Sequence, residues 1–237
     1  DYCRHDYLSL LKDAIPVCDF YFLYYTSSIE ETNQDYSKSG KAIYWSDFKD
    51  THELLMVVMP AKVVFLYIES YNHVVLNLAC KQAAIPTYHL EHGLRADYIA
   101  GFDPAISPTP VQDLTKSIKD KLKLFSQLIP RLNSRRFLLN SIKRLPAEDA
   151  AFVRHFMQVR SQHNYLETFR QIKSQKRNPQ AYISFSPEIF KVHQHHDGLP
   201  VNYPVHFIGV PYFDALFSVN SDKTSKYILF VDQPLAE

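Results

Sequence analysis

The stretch from Lys62 to Leu90, KVVFLYIESYNHVVLNLACKQAAIPTYHL, decides the fold class of this 237-residue chain. It begins with a continuous apolar run at 62–68, which is typical of a strand buried on both faces of a parallel sheet. Apolar residues then recur at helical spacing from about Tyr71 to Ala83. Pro86 separates this helix from a second predicted strand at 87–90. The stretch therefore predicts one β–α–β unit.

The residues before this unit extend the same alternation. A helical pattern at 6–15 precedes apolar runs at 19–25 and 41–45, which predict two further strands. A helix is predicted at 51–59, with Asp50 or Thr51 as its N-cap and Pro60 as its stop. We therefore expect an α/β fold, with a Rossmann-like, doubly wound parallel sheet and helices on both faces.

The residues after the unit add a helical segment to that sheet. The pattern is helical over about 111–176, with breaks near Pro130 and Pro146, and it returns to strand at 181–185 and 206–208. Residues 218–225 resemble a linker, and 226–231 resemble the first strand of another domain. We expect a domain at 1–217 and the beginning of a truncated second domain at 218–237. Both ends look cut, so we expect a longer protein.

Composition excludes several classes of protein. A formal net charge of +1 gives no support to nucleic-acid binding by the chain as a whole. Three widely spaced cysteines without CxxC spacing argue against a disulfide framework or a zinc site and favour a reducing compartment. No apolar run approaches the ~20 residues of a membrane span, and no signal peptide is visible. We expect a cytoplasmic protein.

Reactive side chains are concentrated directly after the strand at 87–90. The turn places Glu91, His92, Gly93 and Arg95 within five residues, and ligands of open α/β sheets bind beyond the carboxyl ends of the strands. Glu91 or His92 would accept a proton from a hydroxyl. Gly93 would allow close approach of a ligand, and Arg95 would pair with a phosphate. Alternatively, the carboxylate and the guanidinium form a structural ion pair, and the glycine only shapes the turn.

The segment His89 to Arg95, HLEHGLR, resembles the His-x-Glu-Ala-Gly-Leu-Arg segment of the UDP-N-acetylglucosamine 2-epimerases. In that family the glutamate belongs to the active site, so the resemblance makes Glu91 the first candidate here. His92 stands where those enzymes have alanine, and this difference favours a transferase over an epimerase.

A second match lies at Ile208 to Leu216, IGVPYFDAL. It is similar to the segment that closes the first domain of the same epimerases. It is closer to the Gly-Asn-Pro-x-Phe-Asp version found in GT-B transferases of bacterial surface polymers. The resemblance implies the acceptor-side N-terminal domain of a GT-B enzyme, with Gly209 and Asp214 near the substrate. It also implies a nucleotide-sugar donor held mostly by a further domain, so that this chain alone would be inactive.

Three functions remain open from the sequence. The first is a glycosyltransferase of cell-surface polysaccharide biosynthesis, which transfers a sugar from a nucleotide donor to a saccharide or lipid-linked acceptor. The second is a UDP-N-acetylglucosamine 2-epimerase-like enzyme, and the third is a non-catalytic Rossmann-like binding module. No cofactor and no metal is expected for the transferase, since helix dipoles and basic side chains can hold a diphosphate.

The segment 114–144 is strongly basic. It carries nine lysines and arginines with Asp120 as its one acidic residue, and apolar residues recur at helical spacing from Leu114 to Ile129. A basic amphipathic helix of this kind predicts peripheral contact with an anionic membrane, such as the inner face of the cell membrane. The alternative is a solvated basic face on a helix whose apolar side packs on the sheet.

A histidine cluster is the last candidate site. His193, His195 and His196 precede the sequence Gly198-Leu199-Pro200. Imidazoles bind metals, but this spacing and the following glycine and proline favour a surface loop.

Overall fold

The computed structural model describes residues 17–24, 40–66, 68–91, 128–163, 165–172 and 174–209, and these form an α/β fold with parallel sheets. The described strands, in chain order, are β1 Tyr21–Tyr24, β2 Lys41–Tyr44, β3 Val63–Phe65, β4 Thr87–Leu90, β5 Ala181–Ser184 and β6 Val205–Phe207. The described α-helices are α1 Thr51–Val58, α2 Tyr71–Gln82, α3 Leu128–Arg144, α4 Ala147–Gln162, α5 Tyr165–Gln171 and α6 Pro187–Asp197.

The described strands form two parallel sheets. β1 pairs with β2, and a four-stranded sheet runs in the order β3-β4-β5-β6. In the larger sheet, His89 lies opposite Phe65 on one side and opposite Tyr182 on the other. Because paired residues of neighbouring strands point to the same face, these three side chains share one face of the sheet.

Local signals in the sequence explain where the helices start and stop. Asp50 accepts a hydrogen bond from the Glu53 amide (2.9 Å) and begins α1. Ser70 does the same for α2 through the His73 amide (3.1 Å). α1 ends with Met59 in the left-handed conformation, since the residue before Pro60 cannot continue a helix.

Two hydrophobic clusters form the core. The larger one contains residues from β3 and from each of the helices α1 through α5. Its fully buried members include Val74, Val75, Val153 and Phe156. The smaller one lies between β5 and α6 and consists of Tyr182, Phe190 and Leu199. A band of buried polar residues lies between the two: Asn77, Thr87, His89, Arg177, Asn178, His193 and Asp197.

The Rossmann-like parallel α/β prediction is confirmed, with the difference that the six described strands fall into two sheets. The predicted helical break at Pro146 is also confirmed, because Pro146 is the N-cap of α4. The break predicted near Pro130 lies at the limit of the described residues, which begin again at Leu128 with the start of α3. Pro130 lies in the first turn of α3, where proline is tolerated because the amide it lacks would have no helical partner.

The interpretation of the histidine cluster as a loop is wrong. His193, His195 and His196 lie on α6, and Gly198 caps that helix in the left-handed conformation (φ +62°). Gly198 and Pro200 are therefore the stop signals of a helix. The domain boundary at 217, the linker and the strand at 226–231 lie outside the described residues.

Candidate active site

The carboxyl end of β4 delivers Glu91 to the edge of the sheet. Glu91 follows Leu90 directly, and its amide donates to the Ile183 carbonyl (2.9 Å), which extends the β4–β5 pairing by one residue. Since side chains alternate along a strand, Glu91 shares the face of His89 and stands beside Ser184 of β5. The Glu91 side chain is only 1% exposed.

The two oxygens of the Glu91 carboxylate have different surroundings. Oε2 accepts hydrogen bonds from the Ser184 hydroxyl and from the Phe185 amide (3.3 Å). Oε1 is buried and has no hydrogen-bond partner among the described residues. A buried carboxylate oxygen without a partner is costly to the fold.

The electrostatics of the site suit proton transfer. Burial raises the pKa of Glu91 above its ordinary value of 4.5, and the hydrogen bonds from Ser184 and the Phe185 amide partly offset that rise. A raised pKa brings a carboxylate closer to the range in which it takes up and releases protons efficiently at neutral pH.

A buried polar network lies on the same face of the sheet, further from its edge. The Asp197 carboxylate accepts from Arg177 Nη2 (2.8 Å) and from the Tyr182 hydroxyl (2.6 Å). Burial raises the pKa of Asp197, but the positive charge of Arg177 and the Tyr182 hydrogen bond hold it below its ordinary value. The His89 ring packs against Tyr182 (centroids 4.6 Å apart) and against His193 (5.9 Å).

Helix α2 holds this network in place through the turn at 175–178. Asn77, which is fully buried, donates to the Arg177 and Asn178 carbonyls (2.8 and 3.0 Å). Lys81 donates to the Lys176 and Asn178 carbonyls (3.0 and 2.5 Å), and burial lowers its pKa to about 8. These bonds satisfy the carbonyls of the turn and fix where Arg177 enters the core.

The structure brings two of the sequence-predicted site residues to one edge of the sheet. The Gly209 amide donates to the Phe185 carbonyl (3.2 Å), next to the residues that hold Glu91. Gly209 has a φ of +69°, a conformation that favours glycine. His92, Gly93, Arg95 and Asp214 lie outside the described residues.

Ser184 and the Phe185 amide were missed by the sequence reasoning, which treated 181–185 only as a strand. The signal that could have identified them is positional. Ser184 ends the strand that pairs with the strand before Glu91, and the carboxyl ends of neighbouring parallel strands meet at one edge.

None of the helices among the described residues is long and apolar enough to cross a membrane. Among the same residues, no group of three or more histidines, cysteines, aspartates or glutamates is arranged to hold a metal ion.

Comparison with known proteins identifies the family. The family model described as Alpha-2,8-polysialyltransferase (POLYST) matches residues 13–237, which is nearly the whole chain. Neither the curated proteins nor the solved structures gave a match. The family is one of glycosyltransferases that build polysaccharides, so the transferase interpretation is supported over the epimerase and the non-catalytic module. The chain belongs to the alpha-2,8-polysialyltransferase family.

Proposed function

We propose that this protein transfers a sialyl residue from a nucleotide-activated donor to a hydroxyl of a sialic acid at the end of a saccharide acceptor, with Glu91 as general base. The family supplies the reaction class. The single observation that carries the role of Glu91 is its position at the carboxyl edge of a parallel sheet. There it is a buried carboxylate with one oxygen that has no partner among the described residues.

The proposed step follows from the two environments of the carboxylate. Oε2 is held by protein donors, and Oε1 accepts the proton of the acceptor hydroxyl. The oxygen of that hydroxyl bonds to the anomeric carbon of the donor sugar. The bond from that carbon to the nucleotide phosphate breaks, and the phosphate leaves with the electron pair. General-base assistance of this kind contributes about 10²- to 10⁴-fold to a rate.

The other predicted site residues have supporting roles in this proposal. His92 is the second candidate for the base. Gly93 and Arg95 would contact the nucleotide sugar, with the guanidinium paired to phosphate. Gly209 lies beside Phe185 at the same edge, and its left-handed backbone would let a substrate approach closely. Asp214 would bind the substrate near Gly209.

Replacement of the carboxylate tests the proposal. Glu91→Gln keeps the size of the side chain but removes its basicity, so we expect transfer to fall by about 10²-fold or more. Transfer is measured with purified full-length protein, a nucleotide-activated sialic acid and a sialylated oligosaccharide acceptor. Glu148→Gln is the matched control, because Glu148 is an exposed carboxylate on α4, and its activity should equal that of wild type. Wild-type transfer by Glu91→Gln would refute Glu91 as the base.

The same assay separates the transferase from the epimerase. A transferase lengthens the acceptor and releases nucleotide only when acceptor and donor are both present. An epimerase would convert UDP-N-acetylglucosamine in the absence of any acceptor. Conversion without acceptor would therefore overturn the proposed reaction.

The exposed side of α3 supports a peripheral contact with an anionic membrane. The apolar side of α3 is not available for insertion, since Phe137, Leu138 and Ile142 are buried in the larger hydrophobic cluster. Its outer side carries exposed Arg135, Arg136 and Lys143, and each basic residue near an anionic surface contributes about 1 kcal/mol. The proposed contact is therefore electrostatic. It would bring the enzyme close to an acceptor that is linked to a membrane lipid.

Vesicle co-sedimentation tests this contact. At low salt the wild-type protein should bind vesicles that contain phosphatidylserine, and binding should weaken as salt is raised. Replacing Arg135 and Arg136 together with glutamate should abolish most of that binding, whereas the same exchange of Arg154, an exposed residue of α4, should have a smaller effect. Equal binding to neutral vesicles would contradict the proposal.

A further inference from the structure

We propose that Ser184 is a positioning residue that determines which oxygen of Glu91 takes the proton. This inference rests on the proposed role of Glu91 as general base. Ser184 does not touch the substrate in this proposal. It acts through the carboxylate that it holds.

The first argument is the asymmetry of the hydrogen bonds. Among the described residues, the two donors to the Glu91 side chain are the Ser184 hydroxyl and the Phe185 amide, and both go to Oε2. They come from two successive residues at the end of β5, and the Ile183 carbonyl fixes the backbone of Glu91 beside them. This arrangement holds the plane of the carboxylate and leaves Oε1 as the oxygen with a free lone pair.

The second argument is the burial of the pair. The Ser184 and Glu91 side chains are 0% and 1% exposed, so bulk water cannot replace the hydroxyl if it is removed. A hydrogen bond to a buried charged group is stronger than one between neutral groups, and its loss is costly.

The third argument is that the Ser184 hydroxyl has a second acceptor. Its oxygen lies 3.3 Å from the carbonyl oxygen of Ser186, the N-cap residue of α6. The hydroxyl has one hydrogen, which serves the Glu91 carboxylate while that group is ionised. After Oε1 has taken a proton, Oε2 still accepts this hydrogen, and the Ser186 carbonyl is a second acceptor for it. Proton uptake therefore does not leave the Ser184 hydrogen without a partner.

The pH dependence follows from the direction of the hydrogen bond. The Ser184 hydroxyl favours the ionised form and lowers the pKa of Glu91, while burial raises it. Other titratable or charged groups on this face are His89 of β4, Tyr182 of β5, His193 and Asp197 of α6, and Arg177 of the turn. Removing the hydroxyl leaves those groups in place and removes one donor to Oε2. The pKa of Glu91 should then rise, so that the base is ionised only at higher pH.

Ser184→Ala is the decisive variant. The acidic limb of the pH profile of kcat/KM should move to higher pH. At pH values below that limb, kcat should be about tenfold or more lower than that of wild type. The KM for donor and acceptor should stay at the wild-type value, because Ser184 does not contact either. Ser184→Cys, which is close in size but donates weakly, should give a smaller shift in the same direction. Ser184→Thr retains the hydroxyl and should restore the wild-type limb.

Ser141→Ala is the matched control. Ser141 is also fully buried, accepts from the Thr51 amide (2.9 Å) and donates to the Phe137 carbonyl (2.8 Å), but it lies between α1 and α3. Ser141→Ala should lower the thermal unfolding temperature without moving the acidic limb of the kcat/KM profile. If Ser184→Ala does not fold, as judged by its thermal transition, the comparison of Ser184→Cys with Ser184→Thr decides the question.

The outcomes separate this inference from the proposed function. If Glu91→Gln keeps wild-type transfer, the proposed function fails. If Glu91→Gln is inactive but the serine variants keep the wild-type pH limb and kcat, only the positioning role is overturned. A loss of activity in Ser184→Ala with an unchanged limb, as expected for a purely structural serine, would also overturn it.

Discussion

At the scale of single residues, Glu91 occupies an environment that costs stability. Its carboxylate is buried beside two donors that both serve Oε2, and Oε1 is left without a partner among the described residues. Burying an ionised group with an unsatisfied oxygen opposes folding. Locally unfavourable arrangements of this kind often occur at functional sites, which agrees with the role proposed for Glu91.

The burial of Glu91 predicts that the difference in stability between Glu91→Gln and wild type depends on pH. Since the folded pKa of Glu91 is raised above 4.5, its contribution to stability is fully present below pH 4.5 and is lost as the pH rises through the folded value. Glu91→Gln does not titrate. The free energy of unfolding of Glu91→Gln minus that of wild type should therefore increase with pH across this window, by about 1.4 kcal/mol for each unit that separates the two pKa values.

Urea unfolding of both proteins at a series of pH values from 4 upward measures this difference. The comparison is internal, because every other titrating group is shared by the two proteins. A difference that stays constant with pH, or decreases, would show that the fold does not raise the pKa of Glu91.

At the scale of elements, helix α6 is the element that was predicted least well from the sequence. Its buried residues Phe190, His193 and Asp197 are three, then four, positions apart, which is the spacing of one helical face. Ser186 and Gly198 supply its two caps. The sequence prediction of a loop was wrong here, because His193 belongs to the buried face of a helix.

The attachment of α6 to β5 yields a second stability prediction. Tyr182→Phe removes the hydroxyl that donates to Asp197 (2.6 Å) and should lower the free energy of unfolding by about 1.5–3 kcal/mol, because the acceptor is charged. Asp197→Asn should cost more, about 3–5 kcal/mol, since it leaves Arg177 buried without its counter-charge. Both are measured by urea unfolding at pH 7.

Tyr203→Phe is the control for that experiment. The Tyr203 hydroxyl also donates within the fold, but its acceptor is the neutral Pro179 carbonyl. Its loss should cost only about 1 kcal/mol. If Tyr203→Phe destabilises the protein as much as Tyr182→Phe does, the charge of Asp197 is not what makes the Tyr182 bond strong.

At the scale of the whole molecule, most of the fold was accessible from the sequence. Apolar runs predict the strands at 87–90 and 181–185, and the rule that ligands bind at strand ends makes Glu91 a candidate site residue. The pairing of β4 with β5 was not accessible. A run of apolar residues states that a strand exists but not which strand lies beside it, so the partners of Glu91 could not be named.

The same limit applies to the buried polar band. Arg177 looks like a surface residue in the sequence, yet its guanidinium lies 3.6 Å from the centroid of the Phe169 ring and binds Asp197. It thereby connects the larger hydrophobic cluster to α6. Only the tertiary structure shows this, because the three residues come from different elements of the chain.

The hydrogen bond between Ser184 and Glu91 has a further consequence for how the protein folds. The two residues are 93 positions apart in the chain, and closing a flexible loop of that length costs about 4 kcal/mol of chain entropy beyond a constant. The unit β3–α2–β4 is local and can form early, but the carboxylate at its end acquires its donors only after β5 has docked. Contacts of such long range form slowly. We therefore expect the site to be completed late in folding. A nascent chain that has formed only this first unit would carry an exposed glutamate where the finished protein has a buried one.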